Sequence, residues 1–102
     1  MSSKINFGLI GVGSFGIKRA KSIIESSNAE LYAIYDNDKA KSKKIAEELN
    51  TQSLDENEIF TNENIDIICI CAPNVFHKTY IIKAIQNNKH VFCEKPLVKN
   101  LK

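Results

Sequence analysis

Three closely spaced glycines are the residues that point most clearly to a chemistry. The segment Gly11-Val12-Gly13-Ser14-Phe15-Gly16 matches the pattern G-x-G-x-x-G, follows an apolar stretch and precedes residues with helical periodicity. In that context the first glycine permits a tight turn, the second lets the backbone approach a pyrophosphate, and the third lets a helix pack against a strand. The free N–H groups and positive dipole end of the following helix favour phosphate. The pattern predicts a dinucleotide-binding loop, with a glycine-rich turn of no such role as the alternative.

An acidic residue, Asp36, follows Gly16 by 20 residues, at the end of the next predicted strand. Its carboxylate is suited to accept hydrogen bonds from the adenosine ribose hydroxyls and would repel a 2′-phosphate. The next predicted helix carries a competing signal, because each of its lysines could pair with that phosphate: Lys39, Lys41, Lys43 and Lys44. Because these lysines alternate with apolar positions, a solvated helix face is the favoured interpretation. We therefore expect NAD as the cofactor, with NADP less favoured.

These residues need strands and helices that bring them to one end of a sheet. Residues 65–72 form an almost continuous apolar run, which is typical of a central parallel strand covered on both faces. The predicted strands are 5–10, 30–35, 51–54, 65–72 and 90–93, and the predicted helices follow the glycine loop or span 38–49, 55–60 and 76–87. This alternation requires right-handed crossovers. It predicts an α/β fold with a doubly wound parallel sheet of the Rossmann type, in the order 3-2-1-4-5 and truncated after the fifth strand.

Two further segments follow the fourth and fifth predicted strands, at the end of the sheet where open α/β folds bind ligands. They are Ala72-Pro73-Asn74-Val75-Phe76-His77 and Cys93-Glu94-Lys95-Pro96-Leu97. With these segments, the glycine loop and Asp36, the chain resembles the Gfo/Idh/MocA oxidoreductases over essentially its whole length. The Glu-Lys-Pro segment is the most specific of the shared motifs. The resemblance implies hydride transfer between nicotinamide and a secondary alcohol of a sugar or polyol.

The resemblance also implies roles for single residues. Lys95 would contact substrate and cofactor at the hydride-transfer centre, where it polarises the alcohol oxygen or relays its proton, and Glu94 and Pro96 would shape the nicotinamide pocket. A surface lysine is the alternative for Lys95, and its position between Glu94 and Pro96 argues against it. Pro73 and Asn74 would line the nicotinamide ribose.

His77 would lie at the head of the helix beneath that ribose, according to the same resemblance. Its own sequence context favours a packed or hydrogen-bonding histidine over a catalytic one, because it shares a helical face with Tyr80, Ile81 and Ala84. The predicted catalytic residues are Lys95 and His77. The predicted cofactor-binding residues are Gly11, Gly13, Ser14, Phe15, Gly16, Asp36, Asn37, Ala72, Pro73, Asn74, His77, Glu94, Lys95 and Pro96.

Composition excludes several other classes. The chain has 102 residues with 43% hydrophobic and 25% charged residues, as expected for a globular domain. A formal charge of +2 gives no case for nucleic acid or an anionic membrane surface, and no apolar run approaches the roughly 20 residues of a membrane span. An odd number of cysteines favours a reducing, cytoplasmic setting over a disulfide framework. Cys69, Cys71 and Cys93 suggest buried apolar thiols rather than a three-sulfur metal site.

Length separates the chain from the family it resembles, whose members carry a second domain that supplies the substrate pocket. We therefore expect residues 1–102 to be an incomplete NAD(P)-binding Rossmann domain without the C-terminal substrate domain. Surface intended for the missing elements would favour a homo-oligomer. Two alternatives remain open: a non-catalytic NAD-binding regulatory domain, which needs only the glycine loop and Asp36, and an oligomerising fragment that binds no cofactor.

Overall fold

The computed structural model describes residues 4–72 and 76–93. Strands and helices alternate along this part of the chain, as predicted. The strands are β1 (Ile5–Ile10), β2 (Ala29–Tyr35), β3 (Gln52–Ser53), β4 (Ile67–Ile70) and β5 (His90–Cys93). The helices are α1 (Ser14–Glu25), α2 (Lys39–Leu49), α3 (Glu56–Thr61) and α4 (His77–Gln86). Within these residues, no helix is both long and apolar enough to cross a membrane.

The five strands form one parallel sheet in the order β3-β2-β1-β4-β5. The predicted strand order and the doubly wound Rossmann architecture are therefore confirmed. In the pairing of β4 with β5, Cys69 lies opposite Phe92 and Ile70 lies opposite Cys93. Residues paired in this way share a face of the sheet, so the register decides which layer each side chain enters.

The core consists of two layers, one on each face of the sheet. On one face, α1 and α2 contribute Ala20 and Ala46 to a cluster that contains Cys69 of β4. On the other face, α3 and α4 contribute Phe60 and Tyr80 to a second cluster. Ile68 and Ile70 of β4 belong to that second cluster, so β4 is covered on both sides, as its apolar sequence predicts.

The fourth strand is shorter than predicted, covering Ile67–Ile70 rather than residues 65–72. Its flanking residues nevertheless remain hydrogen-bonded to the first strand: Asp66 N donates to Asn6 O at 2.9 Å and Cys71 N donates to Ile10 O at 2.8 Å. Beyond Cys71 the chain turns across the glycine loop, which ends the strand. The pairing with β1 thus extends past both ends of β4.

The helical spacing of the sequence predicts that Tyr80, Ile81, Ala84 and Ile85 share one packed face, but helix α4 buries a narrower stripe. Tyr80 and Ala84, four residues apart, are buried, whereas Ile85 is 61% exposed. Ile85 follows Ala84 directly and is therefore rotated by about 100° from the buried stripe. The expectation that Ile85 lies on the packed face is wrong, because only one side of α4 is covered by the described residues.

Two aspartates fix where α2 and α3 begin. Asp38 caps α2 by accepting a hydrogen bond from Lys41 N at 3.1 Å. Asp55 accepts from Glu58 N, and Glu58 Oε1 accepts from Asp55 N, each at 3.0 Å, which forms a capping box. The ends of α2 and α3 therefore lie within one residue of those predicted from the sequence.

Candidate active site

Gly11 makes the turn that leads from β1 into the glycine loop. It has a φ of +96°, a left-handed conformation that glycine adopts without steric cost. An ideal Cβ at this position would also lie 2.9 Å from Ala72 N and 2.9 Å from the Cys71 carbonyl carbon. The predicted need for glycine in a tight turn is confirmed, and the turn brings the loop directly against the segment that follows β4.

Gly16 and Gly13 serve different purposes in the same loop. A Cβ on Gly16 would overlap the Gly11 carbonyl oxygen, so the first turn of α1 can approach the loop only because this residue has no side chain. At Gly13, by contrast, no atom of the described residues lies within 4 Å of an ideal Cβ. The third glycine therefore allows close packing, as predicted, and the second leaves open space at the start of the helix.

The N-terminus of α1 has the properties of an anion-binding site. Gly13 is the N-cap residue, and no side chain of the described residues caps the helix or places a carboxylate in its first turn. The first backbone N–H groups of a helix lack intrahelical partners and carry the positive end of its dipole. The open side of Gly13 gives a pyrophosphate direct access to them. These residues fit the phosphates of a dinucleotide.

Asp36 connects the end of β2 to the glycine loop. Its Oδ2 atom accepts a hydrogen bond from Val12 N at 2.9 Å, and its Oδ1 atom accepts one from Asp38 N at 3.0 Å. Each carboxylate oxygen can accept a further hydrogen bond, so ribose hydroxyls can still bind beside these contacts. Asp36 thus positions the loop in addition to the role the sequence predicts.

A cleft of about 450 Å³ contains the predicted loop residues and Asp36 together. Its predicted lining residues are Gly11, Gly13, Ser14, Phe15, Gly16, Asp36, Asn37 and Ala72. The lining residues that the sequence analysis missed are Ile10, Tyr35, Lys41, Cys71, Phe76 and Tyr80. Tyr35 and Tyr80 belong to the buried cluster on the α3 and α4 face of the sheet, and only this long-range packing brings them together at the cleft.

Two tyrosines make part of the cleft wall polar and uncharged. Burial is the main reason that the pKa of Tyr35 rises to about 12 and that the pKa of Tyr80 is raised as well. The Tyr35 hydroxyl donates to Glu56 Oε1 at 3.4 Å, and Glu56 Oε2 is 2.8 Å from Lys83 Nζ. Both phenols therefore stay protonated at neutral pH, and the Tyr35 proton is directed to Glu56.

The lysines at the start of α2 are all exposed, as predicted for a solvated face. Lys41 nevertheless lines the cleft. Lys39 and Lys43 line a smaller neighbouring pocket of about 240 Å³ that shares Asp36 with the cleft. The carboxylate and these lysines therefore act in opposite directions on any anionic group bound beside Asp36.

His77 has hydrogen-bond partners at both ring nitrogens. Its Nε2 atom is 2.6 Å from Ala72 O, and its Nδ1 atom is 3.2 Å from Cys93 Sγ. This arrangement agrees with the hydrogen-bonding role that its sequence context favours. The remaining predicted site residues, Pro73, Asn74, Glu94, Lys95 and Pro96, lie outside the described residues.

The three cysteines do not meet at one place. Cys69 and Cys71 belong to the layer of α1 and α2, whereas Cys93 packs into the layer of α3 and α4. The register explains this separation, because Cys93 pairs with Ile70 rather than with Cys69. Cys69 is fully buried, while Cys71 and Cys93 are only half-buried, so the expectation of three buried thiols holds for Cys69 alone.

In the part of the chain that the structure describes, no group of three or more His, Cys, Asp or Glu residues could hold a metal ion.

Comparison with known proteins shows the same architecture in dehydrogenases. The family model described as an oxidoreductase family with an NAD-binding Rossmann fold, Gfo/Idh/MocA, matches residues 5–102. The scyllo-inositol dehydrogenase of Lactobacillus casei, solved with bound NAD(H) and scyllo-inositol, superposes with a TM-score of 0.84 at 30% identity. That match covers 92% of this chain and 28% of the dehydrogenase.

Two curated relatives are similar over nearly the whole chain. A 2,7-anhydro-N-acetylneuraminate hydratase of Escherichia coli K12 is 40% identical over 96 residues, which are 91% of this chain and 25% of that protein. The myo-inositol 2-dehydrogenase of Thermotoga maritima is 32% identical over 99 residues, 95% of this chain and 30% of that protein. The chain thus spans between 25% and 30% of the length of these relatives. Because the family model matches nearly every residue and the cleft has the expected geometry, this chain belongs to the Gfo/Idh/MocA oxidoreductases, as an NAD-binding Rossmann domain.

Proposed function

We propose that this chain serves as the NAD-binding part of a dehydrogenase that transfers a hydride between nicotinamide and a secondary alcohol of a sugar or polyol. The observation that carries the proposal is the cleft, in which an uncapped helix start, open space at Gly13 and the Asp36 carboxylate occur together among the described residues. The inositol dehydrogenases among its relatives support a polyol as the substrate class.

Each part of the proposed reaction can be given to residues of this chain. Backbone N–H groups at the start of α1 would hold the pyrophosphate, and Asp36 would orient the adenosine ribose. Bound NAD supplies the hydride acceptor. The Lys95 ammonium would hold the alcohol oxygen and take part in moving its proton, because a nearby positive charge stabilises a developing alkoxide.

A second candidate function is favoured by the identity to hydratases. Besides the relative from Escherichia coli, a 2,7-anhydro-N-acetylneuraminate hydratase of Mediterraneibacter gnavus is 30% identical over 94 residues. Adding water to an anhydro sugar causes no net oxidation or reduction, so NAD would not be consumed overall. The alternative function is therefore hydration of an anhydro sugar by an enzyme that carries this NAD-binding domain.

Product stoichiometry distinguishes the two functions. The enzyme that carries this domain is incubated with NAD and either myo-inositol, scyllo-inositol or 2,7-anhydro-N-acetylneuraminate. Dehydrogenation should form one NADH for each polyol oxidised, measured by NADH fluorescence. Hydration should give a product heavier by one water, measured by mass spectrometry, without net NADH. Hydrated product with no NADH from either polyol would favour the second function, and no reaction with any substrate would contradict both.

NAD should bind this chain at least about tenfold more tightly than NADP, a difference of about 1.4 kcal/mol. The Asp36 carboxylate lies where a 2′-phosphate would approach, and like charges repel. Calorimetric titration with both nucleotides measures the difference. Asp36→Asn should narrow it, because Lys39 and Lys43 border the same pocket and attract a phosphate once the negative charge is removed. Equal or tighter binding of NADP by the unchanged chain would contradict this role of Asp36.

We also propose that the chain self-associates through the outer edge of β5. Within the described residues, β5 pairs only with β4, and Phe92 on this strand is 43% exposed. Unpaired N–H and C=O groups on such an edge can pair with a second chain. Sedimentation velocity should therefore reveal dimers or larger species whose proportion rises with concentration. A single monomeric boundary over a wide concentration range would contradict the proposal.

A cytoplasmic location completes the proposed function. The three cysteines, all of which are among the described residues, form no disulfide. Unlinked cysteines are usual in reducing compartments, whereas secreted domains of this size often rely on disulfides. We therefore propose that the protein acts in the cytoplasm on a small-molecule substrate.

A further inference from the structure

A chain of hydrogen bonds runs from the end of β5 to the NAD-binding cleft. Cys93 Sγ is 3.2 Å from His77 Nδ1, and His77 Nε2 is 2.6 Å from the carbonyl oxygen of Ala72. Ala72 lines the cleft, and its backbone packs against Gly11. None of the roles assigned above uses the Cys93 thiol, which lies at the far end of these hydrogen bonds.

The hydrogen bonds determine which atom carries each proton. A carbonyl oxygen can only accept, so the Nε2 atom of His77 must donate to Ala72. In the neutral imidazole, Nδ1 then has a free lone pair and acts as an acceptor. Cys93 Sγ must therefore be the donor to Nδ1. The thiol thus points its proton at a base whose orientation is fixed by a third group.

This arrangement is the usual one for an activated nucleophile, with a base in hydrogen-bond reach and a partner that orients the base. His77 is also the first residue of α4, so its imidazole belongs to the positive end of a helix of ten residues. Both features favour a thiolate, which is the reactive form of cysteine. Cys93 is half-buried, whereas Cys69 is fully buried.

We propose that Cys93 and His77 form a thiol–imidazole pair that makes Cys93 a site of oxidation by peroxides. His77 Nδ1 takes the thiol proton, and the thiolate sulfur attacks one oxygen of hydrogen peroxide. The S–O bond forms as the O–O bond breaks, so the sulfur loses two electrons and the peroxide gains them. The departing hydroxide takes the proton from His77 and leaves as water, which gives Cys93 sulfenic acid.

Alkylation rates test the nucleophile directly. The 102-residue chain is treated with iodoacetamide at neutral pH, and each cysteine is followed by peptide mass spectrometry. Cys71 is the matched control, because it is also half-buried. Cys93 should react about three- to tenfold faster than Cys71, since a larger thiolate fraction is partly offset by the lower nucleophilicity of a stabilised thiolate.

His77→Gln removes the imidazole base but keeps a hydrogen-bond donor for Ala72. The glutamine amide can still donate to Ala72 O, but it offers no imidazole to take the thiol proton. The Cys93 rate should fall to that of Cys71 while the Cys71 rate and the melting temperature stay unchanged. If the melting temperature of His77→Gln falls, His77→Asn is measured in its place. It must show the same loss of Cys93 reactivity.

Peroxide treatment followed by dimedone identifies the oxidised residue. Dimedone adducts should form on Cys93 before Cys71 in the unchanged chain, and this preference should disappear in His77→Gln. Equal alkylation rates of the two cysteines, a Cys93 rate that His77→Gln leaves unaltered, or dimedone adducts that favour Cys71 would each overturn the proposal. The result does not depend on whether the enzyme is a dehydrogenase or a hydratase.

Discussion

Gly16→Ala should destabilise the fold by about 3 kcal/mol, because the added methyl group would collide with backbone rather than with a movable side chain. Its Cβ would overlap the Gly11 carbonyl oxygen and lie 2.9 Å from the Gly11 carbonyl carbon. Relief requires α1 to move away from the loop, which would also displace the N–H groups proposed to bind phosphate. The gain of up to about 1 kcal/mol from alanine in a helix would offset only part of this cost.

Gly13→Ala is the matched control three residues earlier. Gly13 has a φ of −70° and a ψ of −173°, which any residue can adopt, and no described atom lies within 4 Å of its Cβ position. Its free energy of unfolding should therefore change by less than about 1 kcal/mol. NAD affinity should nevertheless fall by about tenfold to a hundredfold, because the methyl group enters the space proposed for the pyrophosphate.

Urea unfolding and calorimetric titration of both variants measure these effects. Unchanged stability in Gly16→Ala would mean that α1 has room to move away from the loop at little cost. Unchanged NAD affinity in Gly13→Ala would mean that the phosphates bind elsewhere. The informative result is the contrast: one alanine should weaken the fold and the other only the binding.

The glycine loop and Asp36 could be predicted from sequence because their function depends on local features. A turn, a helix start and a strand end are encoded by adjacent residues, and Asp36 needs only to follow the second strand. The strand order was also accessible, since right-handed crossovers leave few ways to arrange alternating strands and helices. These predictions required no knowledge of which side chains pack together.

The aromatic wall of the cleft and the hydrogen-bond partner of Cys93 could not be predicted from the sequence, because both depend on long-range packing. Helical spacing marks Tyr80 as buried, but it does not reveal that this buried residue borders the cleft beside Tyr35. Likewise, period-two alternation places Cys69 and Cys71 on one face, whereas the face of Cys93 depends on the register of β5 against β4. A shift of that register by one residue would have moved Cys93 away from His77.

Lys95→Ala should lower turnover by at least about a hundredfold in the enzyme that carries this domain, the usual scale for a positioned acid or base. Lys95 follows Cys93, the last residue of β5, by two positions in the sequence. Strands β1, β4 and β5 are neighbours in the sheet. A dinucleotide anchored at the glycine loop can therefore extend toward the ends of β4 and β5, where we propose that Lys95 meets the alcohol.

Lys95→Ala should lower turnover without weakening cofactor binding to a similar extent. NAD affinity should change by less than about tenfold, or about 1.4 kcal/mol, because the ammonium acts on the developing alkoxide. Lys95→Arg should not restore turnover, since a guanidinium stays protonated and cannot exchange a proton at neutral pH. Lys78→Ala, which removes an exposed lysine of α4, is the control and should leave turnover unchanged.

Steady-state turnover and NAD titration of these three variants distinguish the remaining interpretations of the chain. Near-normal turnover in Lys95→Ala would remove the reason for placing proton transfer at this residue. If instead the unchanged enzyme bound NAD but converted no substrate, a non-catalytic NAD-binding regulatory domain would become the leading interpretation, because that role needs only the glycine loop and Asp36. Failure of the unchanged protein to bind NAD would instead favour an oligomerising fragment without cofactor. A large loss of turnover with intact NAD binding is the result that only the catalytic role of Lys95 predicts.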